Sequence, residues 1–297
     1  MKTDYFIPTQ KERSDFLLKY KNEFPENEVL TIGRSILSRD IDCYKFGSGK
    51  RHIIYVGAHH AMEHITSSVL YDFIDFFARK IGRDSTFCGI NLDFLKQKFT
   101  FWVIPCLNPD GVEMNFMGAS KGPLTERQLR MNGGDTDFSK WQANARGVDL
   151  NHNYDAGFFE YKRNFEEPRG IAAGRALFSG EHPESEPEVR AILRLIRSVT
   201  PSLIMSFHTQ GMEIYPNPKT RKVCALAERA AGILGYTVKE PTDSAAYGGL
   251  SDYTGGVLGI PSLTLELGRG ENPIDEGAFP LLCEGVRRLC TLLPTYL

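Results

Sequence analysis

The 297-residue sequence has no apolar run long enough to span a bilayer. Its most apolar long stretch, Ile65 to Ala78, is broken by Asp72 and Asp75 and falls short of the roughly 20 residues a transmembrane helix needs. Charge of one sign is missing too: 35 basic and 37 acidic side chains leave a net charge of -2. No global field would therefore hold the chain on nucleic acid or on an anionic membrane, and a small molecule is the expected partner. The opening Met1-Lys2-Thr3-Asp4-Tyr5 leads into charged, helix-like sequence without an apolar core or small-residue cleavage site, so no secretory signal is expected. Cysteine is sparse. Cys43, Cys88, Cys106, Cys224, Cys283 and Cys290 show no CxxC spacing and read as reduced core thiols of a cytosolic protein, a metal role being the rival reading. Repeats, low-complexity tracts and flexible linkers are absent as well.

What is present is 41% apolar sequence, enough to bury a full core over one large domain spanning 1–297. Its N-terminal part, 1–50, should carry a helix (Gln10 to Phe24) and a first strand (Ser35 to Phe46), with the catalytic core in 51–297. Strands are expected at Arg51 to Gly57, Phe99 to Leu107, Pro201 to Phe207, Tyr236 to Glu240 and Pro261 to Leu267. Helices are expected at Glu63 to Ile81, Ser185 to Val199, Lys219 to Leu234 and Glu276 to Leu293. Alternating strands and helices predict an α/β fold, a mixed and largely parallel twisted sheet with helices on both faces. The stretch Asn108 to Gly180 reads mostly as loop, and a loop that long in a compact domain is usually functional.

Polar groups gather where apolar strands end, which is where α/β sites sit. In Ile53-Ile54-Tyr55-Val56-Gly57-Ala58-His59-His60-Ala61-Met62-Glu63-His64, residues His60 and Glu63 are three apart at a helix start and can grip one ion. The bland alternative is a glutamate that only favours the helix dipole. His208 closes the strand Leu203 to Phe207 and offers a third ligand, or else caps the strand by bonding to backbone. Two histidines and one carboxylate leave a tetrahedral zinc an open position, the arrangement of a hydrolytic rather than a structural site. Glu266, at the end of Ser262-Leu263-Thr264-Leu265-Glu266-Leu267, is a carboxylate among apolar neighbours. It is costly there unless it serves as a general base or pairs with an arginine such as Arg269.

The set of motifs resembles the zinc metallocarboxypeptidase family. It comprises Gly57-Ala58-His59-His60-Ala61-Met62-Glu63, Asn108-Pro109-Asp110-Gly111, Gly147-Val148-Asp149-Leu150-Asn151-His152-Asn153, Ser185-Glu186-Pro187-Glu188, Ser206-Phe207-His208 and Leu265-Glu266-Leu267, in the family's order across about residues 50 to 290. The resemblance implies one zinc ion per chain on His60, Glu63 and His208. Glu266 would take a proton from the attacking water and pass it to the leaving amine. By the same resemblance Asp149 orients His60 through its far ring nitrogen. Asn108-Pro109-Asp110-Gly111 reads by composition as a plain turn and is expected to serve as site scaffolding.

Three positions depart from the family pattern. The family's Asn-Arg, whose arginine clamps a terminal carboxylate, stands here as Asn151-His152, and an imidazole cannot form the bidentate fork. The arginine expected nine residues before that asparagine falls at Gln142; Arg146 is the candidate to stabilise the oxyanion instead, with Gln142 as the alternative donor. The substrate-covering tyrosine falls at Ser244, with Tyr247 nearby in the Gly-containing loop Tyr247-Gly248-Gly249.

The segments from His59 to Thr66, His208 to Gly211 with Glu213-Ile214-Tyr215, and Leu265 to Gly268 resemble the bacterial branch that cleaves γ-D-glutamyl-diamino-acid bonds of cell-wall peptides. A muropeptide-type substrate carries extra carboxylates and an amino group, for which Arg146, Arg269, Glu213 or Glu271 are candidate partners, each otherwise a solvated surface charge. The expected function is thus a cytoplasmic zinc peptidase acting on small wall fragments. The rivals are a conventional carboxypeptidase or zinc deacylase with a carboxylate clamp deep in the pocket, and a noncatalytic binding module. Retention of His60, Glu63, His208 and Glu266 together opposes the last.

Overall fold

A computed structural model describes residues 5–82 and 85–297. The opening residues read above for a signal lie, up to residue 4, outside the described ones. The fold is a single α/β domain around an eight-stranded mixed sheet. Its strands are β1 (Glu28–Arg34), β2 (Asp40–Phe46), β3 (Arg51–Val56), a separate two-residue hairpin β4 (Thr86–Phe87) and β5 (Ile90–Asn91), then β6 (Phe99–Ile104), β7 (Leu203–His208), β8 (Glu213–Asn217), β9 (Thr237–Val238) and β10 (Ser262–Glu266). The sheet order is β1-β2-β6-β3-β7-β10-β8-β9. Strands β6, β3, β7 and β10 run parallel at its centre, while β1, β2 and β8 pair antiparallel.

That order gives the sheet its working edge. The chain leaves β3, fills β6 on one side, then crosses back to β7 on the other, so a crevice opens beyond the carboxyl ends of β3 and β7. Parallel central strands are buried on both faces, hence the near-continuous apolar runs Phe99 to Ile104 and Leu203 to Phe207.

Helices cover both faces. On one lie α1 (Gln10–Glu23), α2 (Ile65–Lys80), the shorter α3 (Leu92–Lys98), α8 (Arg221–Leu234) and α9 (Phe279–Leu292); α7 (Pro187–Val199) covers the other, and the short α4 (Pro109–Met117), α5 (Thr125–Met131) and α6 (Phe158–Tyr161) belong to the long connection between β6 and α7. In α2 the residues Val69, Leu70, Phe73, Ile74 and Phe77 recur at helical spacing and are fully buried against the Tyr55, Phe101 and Phe207 side of the sheet. In α7, Val189, Ile192 and Ile196 bury against Ile54, Val56 and Ile204. Alternation along β7 and β10 follows: Leu203, Met205, Phe207, Leu263 and Leu265 face the α2 side, and the even-numbered residues face α7.

Several expectations change in detail. Besides the β4–β5 hairpin, two strands of the main sheet are additional: β1, an edge strand with about half its residues polar, and β8, which Pro216 disguises because proline is rare inside sheets. The strand expected at Tyr236 to Glu240 shrinks to two residues. Residues 108–180 are mostly loop but carry α4, α5 and α6, and the turn at Asn108 is in fact an N-cap: its Oδ1 accepts from Gly111 N at 3.0 Å with Pro109 in the first turn. Among the described residues no helix is long and apolar enough to cross a membrane. All six cysteines are free.

Candidate metal centre

The sheet register determines which side chains meet. Glu266 lies opposite His208 in the parallel β7/β10 pair, so both side chains leave the same face at the same edge. Two residues back, Thr264 lies opposite Ser206 on that face. His60 arrives from the turn after β3, and Glu63 from the short helical turn Ala61–Glu63. This turn is clamped from below. Asn108 Nδ2 donates to the carbonyls of His59 and Ala143, both at 3.1 Å, and Thr66 Oγ1 donates to the Glu63 carbonyl at 2.7 Å while accepting from Ala58 N. Gly111 has to be glycine here, since a Cβ would lie 2.4 Å from the Ala143 carbonyl oxygen and 2.8 Å from Ala61 Cβ.

His60, Glu63 and His208 come together with ligand atoms all within 4.8 Å of one another. His60 Nδ1 stands 2.9 Å from one Glu63 oxygen, and His208 Nδ1 3.1 Å from the other. The two Nδ1 atoms are 3.4 Å apart. Tetrahedral zinc with bonds of about 2.0–2.1 Å sets two nitrogen ligands about 3.3 Å apart, so the donors already have the spacing such an ion requires. Each Nδ1 stands against its own Glu63 oxygen while the two nitrogens face one another, so a cation entering there would meet three converging donor groups. Burial alone would raise the Glu63 carboxyl, but the two imidazoles hold it well below the usual carboxylate range.

Around these three, a further layer orients them. His60 Nε2 is 3.2 Å from Asp149 Oδ1, within salt-bridge distance although its angle falls short of a full hydrogen bond. Asp149 is fully buried and accepts from Asn151 N (3.1 Å), Gln142 Nε2 (2.6 Å) and Leu177 N (3.3 Å). Burial would raise its carboxyl, yet His60 first, and then His152 and the Leu177 N–H, hold it well below the ordinary value. On the opposite side Asn272 Nδ2 reaches toward Glu63 Oε1 at 3.4 Å and donates to the Thr209 carbonyl at 3.0 Å. Spacing gave no sign of Asn272, which arrives from the loop after β10.

The cluster opens on a cleft of about 190 Å³ lined by His60, His208 and Glu266 on the sheet side. Asn151, His152, Gly249, Ser251 and Asp252 line it from the loop side. Burial, and next the Glu63 carboxylate, push the Glu266 carboxyl well above its usual range. A divalent cation at the cluster would draw it back toward ionisation, as a base requires. Asn151 Oδ1 accepts from Leu250 N at 3.1 Å, which leaves its amide N–H₂ for a ligand. Thr264, Ser251 and Asp252 were not anticipated. Thr264 was within reach of the strand's period of two, whereas Ser251 and Asp252 come from a short helical segment that follows the Tyr247-Gly248-Gly249 loop. A larger cavity, about 470 Å³, lies between α8 and α9 and is mostly apolar; its wall contains Arg269, which is therefore not a cleft residue.

Four expected substrate-side residues, Arg146, Gln142, Tyr247 and Glu213, are not among those that line the cleft. Arg146 forms a bidentate pair with Glu186, Nε to Oε2 at 3.1 Å and Nη2 to Oε1 at 2.8 Å, and lines a separate cavity with Phe178 and His182. The cause is the burial of the Glu186 carboxylate at the start of α7, which must be paired where it lies. Gln142 spends its amide donor on Asp149 and supports the metal side indirectly. The Tyr247 ring packs over Gly157 and against Phe165 with centroids 5.6 Å apart, and only its backbone carbonyl reaches a cleft residue, His152. Glu213 is engaged by Lys239 at 2.5 Å and by the Tyr215 hydroxyl.

Comparison with known proteins agrees with this geometry. The chain is 31% identical over 267 residues to gamma-D-glutamyl-L-diamino acid endopeptidase 1 of Lysinibacillus sphaericus, covering 88% of this chain and 65% of that protein. It is 30% identical over 108 residues to murein peptide amidase A of Escherichia coli K12, covering 36% of this chain and 34% of that one. Its fold superimposes on bovine thrombin-activatable fibrinolysis inhibitor in complex with tick carboxypeptidase inhibitor with a TM-score of 0.74 at 19% identity, covering 99% and 97% of the two chains. The family model described as zinc carboxypeptidase matches residues 14–284, and so the chain, which spans 65% of the length of the first of these relatives, belongs to the zinc carboxypeptidase family.

Proposed function

We propose that this peptidase hydrolyses the γ-D-glutamyl–diamino acid bond of small peptidoglycan-derived peptides inside the cell. One zinc ion would be held by His60, Glu63 and His208, with Glu266 as the general base. The observation that carries the reading is the convergence of the two Nδ1 atoms and the Glu63 carboxylate at the edge where Glu266 stands in register with His208. When bound, the ion supplies Lewis acidity at the scissile carbonyl. Asp149 holds His60 in one orientation, and Glu266 accepts the proton of the attacking water and returns it to the leaving amine. The Asn151 amide N–H donates to the substrate from the loop side.

The bond assignment rests on likeness to the γ-D-glutamyl endopeptidase and on the cleft's charge. Asp252 lines it, with its carboxyl pushed up to about 6 by burial, and no lysine or arginine does among the described residues. A wall of that sign suits a residue bearing a free amino group, as a diamino acid does. A conventional carboxypeptidase would need a cation there for the terminal carboxylate, and Arg146 is engaged elsewhere. The test is incubation of zinc-loaded protein with L-Ala-γ-D-Glu-diaminopimelate, with the apo form as control. Release of diaminopimelate only by the zinc form is expected. An intact muropeptide beside trimmed ordinary peptides would remove the bond assignment while leaving the peptidase.

A further inference from the structure

At the position where the family pattern sets a carboxylate-clamping arginine, the chain carries His152, and its surroundings determine which way its hydrogen bonds run. His152 Nδ1 lies 2.8 Å from the Tyr247 carbonyl oxygen. A carbonyl can only accept, so Nδ1 carries the proton. The ring is clamped in that pose: it stacks on Tyr161 with centroids 4.0 Å apart and planes 15° from parallel. Gly248 closes against the His152 backbone, where a Cβ would come within 2.8 Å of its carbonyl oxygen. Burial keeps the imidazole below the ordinary histidine range, hence neutral. Among the described residues Nε2 makes no hydrogen bond, and His152 is one of the residues that line the cleft. The atom offered to a ligand is therefore a lone pair, the opposite of what an arginine offers.

We propose that His152 makes the protein an endopeptidase: its Nε2 accepts the N–H of an amide formed by the carboxyl group of the residue on the leaving side of the scissile bond, and so selects substrates whose diamino acid is amidated or continues into a further residue. A free carboxylate at that place would face the Nε2 lone pair, with the carboxyl groups of Asp252 and Glu266 in the same cleft and no lysine or arginine lining it among the described residues. Hydrogen bonding rewards the amide and electrostatics penalise the acid. This deepens the function proposed above and rests on it for the identity of the diamino acid, but the acceptor's role at His152 stands on the tautomer alone.

The experiment compares three substrates on the zinc-loaded full chain: L-Ala-γ-D-Glu-L-Lys, its C-terminal carboxamide, and L-Ala-γ-D-Glu-L-Lys-D-Ala. The amide and the extended peptide are expected to show a KM about tenfold below that of the acid at similar kcat, roughly the effect of one hydrogen bond gained and one repulsion avoided. His152→Arg should reverse the order, and His152→Gln, which keeps an acceptor oxygen, should retain it. Equal or better cleavage of the free acid by the wild type overturns the proposal, and so does a preference that His152→Arg leaves intact. If no γ-D-glutamyl peptide is cleaved, the bond assignment has failed separately. The same acid and amide pair on an α-linked N-acyl dipeptide ending in lysine then carries the test. Calorimetric titration with L-lysinamide and L-lysine reads the preference without turnover, and tighter binding of L-lysine would contradict it.

Discussion

On the sheet side of the cleft, His208 and Glu266 are fixed by the register of two parallel strands, and Glu63 by a turn bolted to Asn108 and Thr66. On the loop side, Asn151, His152, Ser251 and Asp252 depend on side-chain-to-backbone bonds between segments nearly a hundred residues apart, such as Asn151 to Leu250 and His152 to Tyr247. A ladder of backbone hydrogen bonds leaves a side chain little choice of position, so the chemistry sits there. Loops can exchange one residue without disturbing a ladder, so substrate preference can change there while the reaction is kept. The departures from the family pattern at Gln142 and His152 lie on the loop side, and His60, Glu63, His208 and Glu266 on the sheet side match it.

This division predicts a graded response to mutation. The largest effect is expected from Glu266→Gln: kcat/KM should fall by roughly 10²–10⁴ with zinc content unchanged, since the residue moves a proton and holds no metal. Turnover within a few-fold of wild type would break the division at its strongest point. Asp149→Asn comes next. Loss of the carboxylate beside His60 Nε2 should weaken zinc retention about 10- to 100-fold in a competition titration with a chelator.

Arg146→Ala should separate stability from catalysis. Its guanidinium is partly exposed, but the Glu186 carboxylate it leaves behind is buried, so unfolding in urea should reveal a loss of about 1–3 kcal/mol while kcat/KM stays within about threefold. A large loss of turnover without a stability change would restore Arg146 to the reaction.

The smallest effect on turnover, and a pH-dependent one on stability, is expected at Glu188, at the start of α7. Complete burial, with Asp110 and Glu186 adding to it, pushes its carboxyl up to about 8. The folded state therefore holds a proton that the unfolded chain releases above about pH 4.5. The stability tied to that proton is whole below pH 4.5 and is lost as pH rises toward 8. Glu188→Gln should flatten that part of the melting-temperature profile, raising Tm at pH 8 and changing it little at pH 4.5.

The same division explains how much was legible in the sequence. The four central strands announced themselves as apolar runs, and the three donors with Glu266 stood at strand ends or on one helical turn, where spacing alone sets direction. β1 and β8 stayed hidden because an edge strand needs no continuous apolar pattern and Pro216 argues against a strand. Asp110 read as part of a plain turn, yet it is buried against Arg39, Ser35 Oγ and Leu37 N, partners found 71 to 75 residues away. Arg146 lies away from the cleft for a related reason: a long side chain goes to whichever buried carboxylate lies within reach, and Glu186 is 40 residues on. His152 was legible as a departure, but its tautomer depends on a carbonyl 95 residues later.

Zinc-edge X-ray absorption on the zinc-loaded protein and on His208→Ala tests the centre most directly. Two imidazoles with oxygen ligands and no sulfur are expected in the wild type, and one imidazole fewer in the variant. Sulfur ligation, or a spectrum that His208→Ala leaves unchanged, would contradict a metal held by His60, Glu63 and His208.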